Sequence, residues 1–224
     1  MNSVPESPRT SVGTGVDEVM TFTAIGNPGM ALVAQAFRTS TKIGTGSVLK
    51  REITIFNGGL GAGPEGSPEH AVDNIGYDEF IVFQLPSDGS IPLSFTLGWR
   101  GGDADVATWI GGTLDGSNDA VDLFVPGPFS WSGGAALTAQ GYSQKIFSNV
   151  PVNASQSFSG ASGRYLIIGA RTEVSKTSEE GGEDTFKLLQ VVVDVPRVPE
   201  PATLLLLACG LALLPFAQRR RAAR

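Results

Sequence analysis

The chain has 224 residues, of which 41% are hydrophobic, so it can form a packed core and is too apolar to be wholly disordered. Its single cysteine excludes an internal disulfide, and its single histidine excludes a metal site built from several imidazoles. Residues 1–201 carry 12 basic and 22 acidic side chains, a net charge of −10, which disfavours binding to nucleic-acid phosphates.

Residues 1–18 show no periodic pattern, and we expect them to be a flexible remnant before the folded domain. Residues 19–195 show a period of two, as in β-strands, rather than helical spacing, and 77–85 and 165–168 are strand-like on both faces. The pattern is clearest where Leu93, Phe95, Leu97 and Trp99 alternate with small residues. The predicted strands, in chain order, are 20–25, 32–37, 53–55, 77–85, 93–99, 106–110, 121–125, 142–147, 165–168 and 186–195.

Glycine-rich turn signals separate these strands, for example at residues 57–59, 87–89, 101–102 and 111–112. Many short strands at this spacing predict an all-β fold, an antiparallel β-sandwich of the jelly-roll type. We find no fixed-period repeat, which argues against a solenoid. We therefore assign residues 19–196 to one β-sandwich domain.

Two catalytic motifs receive no support. Residues 61–66 have the glycine spacing of a dinucleotide-binding loop, but no helical pattern follows them. A Ser-His-Asp triad would have to use His70, and no Gly-x-Ser-x-Gly element is present. We predict that the protein is not an enzyme. The alternative is a polysaccharide-active enzyme that uses a pair of carboxylates.

Acidic and amide side chains fall at the ends of predicted strands, where loops gather. They are Asp73, Asn74, Asp103, Asp105 and Asp184. Calcium takes six to eight oxygen ligands, often from spaced Asp and Asn side chains. These five residues are therefore candidate Ca²⁺ ligands. The alternative is that they are solvated turn residues, because Asp and Asn favour turns in any case.

The C-terminus carries an uncharged, leucine-rich run at residues 202–217, followed by Gln218 and the arginines Arg219, Arg220 and Arg221. As a helix the run would be about 24 Å long, short of the roughly 30 Å hydrocarbon core, but snorkelling arginines and a thin bilayer accommodate the difference. A buried core helix is disfavoured because the run has no polar face. We predict one short transmembrane helix over residues 202–218, with its arginines in the cytoplasm and the body on the far side.

Pro199, Glu200 and Pro201 stand directly before this run, in a segment that must be extended. The order Pro-Glu-Pro, short apolar helix, arginine cluster resembles the PEP-CTERM sorting signal. That resemblance implies that residues 197–224 are a sorting signal and that an exosortase, a membrane-embedded cysteine protease of bacteria that make exopolysaccharide, cleaves near the Pro-Glu-Pro. Export also requires an N-terminal signal, which residues 1–8 lack, so we expect the true start to lie upstream.

Blocks at residues 57–61, 67–74, 97–105, 165–170 and 184–189 are similar to those shared by a group of exosortase-dependent surface proteins. This resemblance implies a surface protein and identifies no catalytic residue. We predict a non-catalytic protein of the cell surface or extracellular matrix, with exosortase as its processing partner and exopolysaccharide as a candidate ligand. Trp99, Trp109 and Trp131 are candidate stacking faces for sugars, although tryptophans buried in a core are the commoner outcome. A purely structural matrix protein is the remaining alternative.

Overall fold

The computed structural model describes residues 19–24, 27–40, 48–56, 58–63, 71–112, 135–158, 160–171 and 183–196. Within these ranges the chain forms thirteen strands and one short helix. They are β1 (Met20–Ala24), β2 (Asn27–Thr39), β3 (Val48–Arg51), β4 (Ile53–Phe56), β5 (Gly59–Ala62), β6 (Val72–Asp73), β7 (Glu79–Gln84), β8 (Ile91–Arg100), β9 (Val106–Gly111), α1 (Ala135–Ala139), β10 (Ser143–Phe147), β11 (Ser155–Ser157), β12 (Tyr165–Ala170) and β13 (Thr185–Asp194).

The strands form two sheets in which all strand pairings are antiparallel. The seven-stranded sheet has the order β1-β2-β7-β12-β9-β10, with β3 also paired to β2. The six-stranded sheet has the order β11-β8-β13-β5-β4, with β6 also paired to β13. The prediction of an antiparallel all-β fold is confirmed. The closed sandwich stays a prediction, as do the domain limits.

One hydrophobic cluster draws on both sheets. Phe95 and Leu97 of β8 and Phe186 of β13 come from the six-stranded sheet, whereas Ile81 of β7 and Ile168 of β12 come from the seven-stranded sheet. All five side chains are at most 1% exposed. The ring of Phe95 meets the ring of Phe147 on β10 edge-to-face, with 5.0 Å between centroids, so the two sheets touch directly.

The seven-stranded sheet is also buried on its other face. Because side chains alternate along a strand, Phe80 and Val82 of β7 point away from the shared cluster and into a second one, which contains Trp109 and Leu137. Trp109 is 1% exposed there. Of the two possibilities for Trp109, a stacking face or a buried core residue, the structure therefore shows the second. Burial on both faces also explains why the strands β7, β9 and β12 lack polar alternation.

Nine of the ten predicted strands appear, most of them shifted by one or two residues at their ends. The prediction for residues 121–125 lies outside the described residues, as does the predicted helix at 202–218. Among the described residues, none of the helices has the length and apolar character needed to cross a bilayer. The unpredicted strands β3, β5, β6 and β11 have two to four residues, too few for a pattern to show.

The β4–β5 hairpin turns at Gly58 and Gly59, whose φ angles of 96° and 122° lie in the left-handed region that favours glycine. This hairpin packs tightly against its neighbours in the six-stranded sheet. A Cβ on Gly59 would lie 2.2 Å from the carbonyl oxygen of Leu188 on β13. Glycine is therefore required at residue 59 for both its backbone angle and its lack of a side chain.

We predict that Gly59→Ala destabilises the fold by about 3–5 kcal/mol, because a strained φ and a backbone clash add together. Gly102→Ala is the matched control, since Gly102 also has a positive φ, 73°, but has nothing within 4 Å of the added Cβ. It should cost only about 1–2 kcal/mol. Chemical unfolding of the two variants measures the difference, and equal losses would contradict the close-contact explanation.

Candidate functional site

Three of the predicted ligand residues converge at one end of the sheets. Asp103 and Asp105 lie in the loop between β8 and β9, and Asp184 directly precedes β13. One carboxylate oxygen from each lies within 4.8 Å of the other two. We call Asp103, Asp105 and Asp184 the acidic cluster. Asp184 is buried, with 6% exposure, and the other two are partly exposed.

Asn74 joins the acidic cluster through Asp184. The Asn74 amide nitrogen donates to the Asp184 carboxylate at 2.9 Å, and the Asp184 backbone N–H donates to the Asn74 side-chain oxygen at 3.0 Å. The second Asp184 oxygen accepts from the backbone N–H of Asp105 at 2.8 Å. Asp184 thus ties the segment after β6 to the loop before β9.

Arg171 supplies a positive charge to the acidic cluster. Its Nη1 donates to the Asp105 carboxylate at 2.7 Å, and the other Asp105 oxygen accepts from the backbone N–H of Asn149 at 2.7 Å. The Arg171 backbone N–H also donates to the Asp105 carbonyl at 2.9 Å. Sequence reasoning missed Arg171, because nothing in the chain order links residue 171 to residue 105.

Burial and mutual repulsion make Asp184 reluctant to ionise. Its pKa is raised from 3.8 to about 6, first by burial and then by the charges of Asp105 and Asp103, against hydrogen bonds from the Asp105 backbone and the Asn74 side chain. A proton or a cation would relieve this repulsion.

Asp73 does not contribute an oxygen to the acidic cluster. Its carboxylate accepts from the backbone N–H of Ile75 at 2.9 Å, and its charge acts on Glu79 of β7. The Glu79 carboxylate is 3.0 Å from Nε of Arg51 on β3. Burial, followed by the Asp73 charge, raises the pKa of Glu79 to about 8, although Arg51 opposes the shift. The sequence could have pointed to Glu79 only as a charged residue at the start of an apolar strand.

The distances suit a Ca²⁺ ion. Calcium–oxygen bonds measure about 2.3–2.6 Å, so two ligands of one ion lie at most about 5 Å apart, and the cluster oxygens meet that limit. Three carboxylates are fewer than the six to eight ligands that calcium takes, and the Arg171 charge opposes a cation. Calcium binding by Asp103, Asp105 and Asp184, with Asp73 and Asn74 nearby, stays a prediction.

The tryptophans differ in their surroundings. Trp99 on β8 is 38% exposed. Nζ of Lys187 lies 5.2 Å from the centroid of its ring, and burial lowers the pKa of this lysine.

Trp131 lies outside the described residues, as do His70 and the predicted sorting residues Pro199, Glu200, Pro201 and Arg219 to Arg221.

Comparison with protein families identifies the C-terminal segment. Residues 197–221 match the PEP-CTERM protein-sorting motif. The chain carries a PEP-CTERM signal. The predicted resemblance is confirmed for these residues, and the match is consistent with an exosortase substrate. No curated protein and no solved structure matches the chain significantly.

We predict that calcium stabilises the protein. At ten times its dissociation constant, a ligand of the folded state adds about 1.4 kcal/mol, or roughly 3–6 °C in melting temperature for a chain of this size. Melting in millimolar CaCl₂ against chelator measures the shift. The double variant Asp103→Asn with Asp184→Asn should lose it. An identical melting temperature with and without calcium in the unaltered protein would rule out the site.

We also predict that the protein loses stability as the pH rises from about 4 to 8. The folded pKa values of Asp184 and Glu79 are both raised, so the folded state holds protons that the unfolded chain releases. The Asp184 contribution disappears between pH 4 and 6, and that of Glu79 between about 4.5 and 8. Melting temperature should fall by on the order of 5 °C or more over this range.

Two variants separate these contributions. Glu79→Gln should flatten the upper part of the pH profile, and Asp184→Asn the lower part. The slope of the pH profile is the readout, because Asp184→Asn leaves one oxygen to accept from two donors, the Asn74 amide and the Asp105 backbone N–H, and so lowers stability at every pH. Asp88→Asn, at an exposed turn position, is the control and should leave the profile unchanged. A wild-type profile that rises with pH would contradict the raised pKa values.

Proposed function

We propose that this protein is exported, held briefly in the inner membrane by its C-terminal segment, and displayed at the cell surface or in the extracellular matrix after exosortase cleavage near Pro199, Glu200 and Pro201. The match of residues 197–221 to the PEP-CTERM motif carries this proposal. The motif supports an exported, exosortase-processed protein. The membrane topology and the role of the mature body are our extension of it.

The charge distribution supports the proposed topology. Four of the chain's 16 basic residues lie within its last six positions, whereas residues 1–201 carry a net charge of −10. Positively charged flanks of an apolar segment are retained in the cytoplasm. If residues 202–218 span the membrane and the following Arg219, Arg220 and Arg221 stay in the cytoplasm, the acidic body lies on the opposite side of the inner membrane.

The described part of the body favours a binding or structural role over catalysis. A polysaccharide-cleaving enzyme needs a carboxylic acid of raised pKa that reaches its substrate. Glu79 and Asp184 have raised pKa values, but they are only 5% and 6% exposed. Glu79 pairs with Arg51 of β3, and Asp184 accepts hydrogen bonds from Asn74 and Asp105. Such contacts between distant segments are typical of structural residues. We propose that the body is a β-sandwich that contacts matrix polysaccharide without cleaving it. The hydrophobic cluster shared by both sheets supports the packing of one sheet face to face on the other.

Mass spectrometry of the C-terminus tests the processing. In a host that has an exosortase, secreted protein should end near residue 200 and lack the arginine tail. Replacing Pro199, Glu200 and Pro201 together by alanine should leave the full chain in the membrane. Asp194→Ala, an exposed carboxylate close to the motif but outside it, is the control and should be processed normally. Secreted protein with an intact arginine tail would refute the proposal.

A second measurement separates binding from turnover. Incubating the processed protein with polysaccharide and assaying for new reducing ends should show none above background. Release of reducing ends that is lost on mutation of one carboxylate would establish the enzyme alternative instead.

A further inference from the structure

The six-stranded sheet turns one face toward the core, and its other face carries rows of uncharged polar side chains. Phe95 and Leu97 of β8 point into the core, so Thr96 between them points away from it. Paired residues on neighbouring strands share a face. Ser155 of β11, Thr96 and Gln190 of β13 therefore form one row across three strands.

A second row, parallel to the first, contains Ser157, Ser94 and the half-buried Val192 of β13. The two β11 serines are exposed, Ser94 and Gln190 are half-buried, and Thr96 is recessed. A register shift between Lys187 and Leu188 pairs Trp99 with Lys187, so Trp99 lies on this outer face although it stands two residues after Leu97. We call the two rows, together with Trp99, the outer platform. It extends from Ser94 to Trp99, about 17 Å along β8 at ~3.3 Å per residue, and the Gly58 backbone and Leu189 lie against Gly98 between the rows and Trp99.

Trp99 occupies one end of the outer platform and is held in place by its neighbours. A Cβ on Gly101 would lie 2.9 Å from the Cη2 atom of the indole, so the ring lies directly against the glycine backbone. Lys187, paired with Trp99 across the strands, places its Nζ over the ring. The indole is thus fixed in position and still 38% exposed.

The charges around the outer platform indicate what it would bind. Its rows of hydroxyl and amide groups are uncharged donors and acceptors. Nζ of Lys187 interacts with the Trp99 ring, and Nζ of Lys145 donates to the Ser157 carbonyl at 2.7 Å. Both lysines are therefore already engaged, while residues 1–201 carry a net charge of −10 that repels anionic polymers.

We propose that the outer platform binds an extended, uncharged polysaccharide chain. The C–H face of one sugar ring stacks on Trp99, and hydroxyl groups of the following sugars bond to the serine and glutamine rows. This inference rests on the proposed surface location, because it is there that the body meets matrix polymers.

A second copy of the chain is a poorer occupant. Stable protein–protein interfaces bury about 1,200–2,000 Å² around an apolar, aromatic centre. The outer platform offers one exposed aromatic ring and two separate aliphatic side chains, Leu189 and Val192, among short polar ones, and these do not form an apolar centre of that size. A neutral polymer that is rich in hydroxyl groups satisfies those side chains better.

Affinity electrophoresis of the full chain in mild detergent tests the proposal. Hydroxyethylcellulose, an extended neutral polymer, should retard the protein, and alginate, an acidic one, should not. Trp99→Ala should weaken binding at least tenfold. Gly101→Ala, which keeps the indole but displaces it, should weaken binding measurably at an unchanged oligomeric state. Tyr77→Ala is the matched control, because Tyr77 is also 38% exposed but lies elsewhere, and it should bind normally.

The following results would overturn the proposal: no retardation by hydroxyethylcellulose, tighter binding to alginate, equal losses in the Trp99 and Tyr77 variants, or a dimer in size-exclusion chromatography that Trp99→Ala disrupts. The assay does not depend on sorting. Failure of glycan binding with normal C-terminal cleavage would therefore reject the outer platform alone, and intact tails on secreted protein would reject the proposed function alone.

Discussion

The burial of apolar side chains from both sheets in one cluster is the constraint on which the rest of the structure depends. Phe95 and Leu97 can lie in that cluster only if Thr96 points away from it, because side chains alternate along a strand. A shift of one residue in register would exchange the two faces. The same alternation that forms the core therefore places Thr96 and Ser94 on the outer platform, and the register shift between Lys187 and Leu188 brings Trp99 to that side.

The end of the sheets is held together differently, by polar groups. Asp184, Asn74 and Arg171 connect segments that are far apart in the chain, through hydrogen bonds of 2.7–3.1 Å. Their partial burial has a cost that is visible in the raised pKa of Asp184. A buried polar network gives specificity of arrangement when its members are satisfied. Asp184 meets that condition through donors from the Asp105 backbone and the Asn74 side chain.

Much of the fold could be predicted from the sequence, because alternation and glycine turns are local signals. Strand β8 and the turn at Gly58 and Gly59 follow from a few adjacent residues. The strands β7, β9 and β12 are apolar on both faces, and their burial depends on neighbours that only the sheet order provides. For that reason the sequence left the position of Trp109 open: its sequence surroundings do not show that a second cluster covers it.

The candidate site was predictable as a set of residue types but not as a geometry. Asp103, Asp105 and Asp184 stood out as strand-end acids, yet their partner Arg171 and the separation of Asp73 from them depend on register between distant strands. The sorting signal is the opposite case. It depends on the order of proline, apolar run and arginines along the chain, so the sequence alone carries it, and the family match at 197–221 needs no fold. The outer platform combines both kinds of information: its residues are ordinary serines and threonines until strand pairing places them in rows beside Trp99.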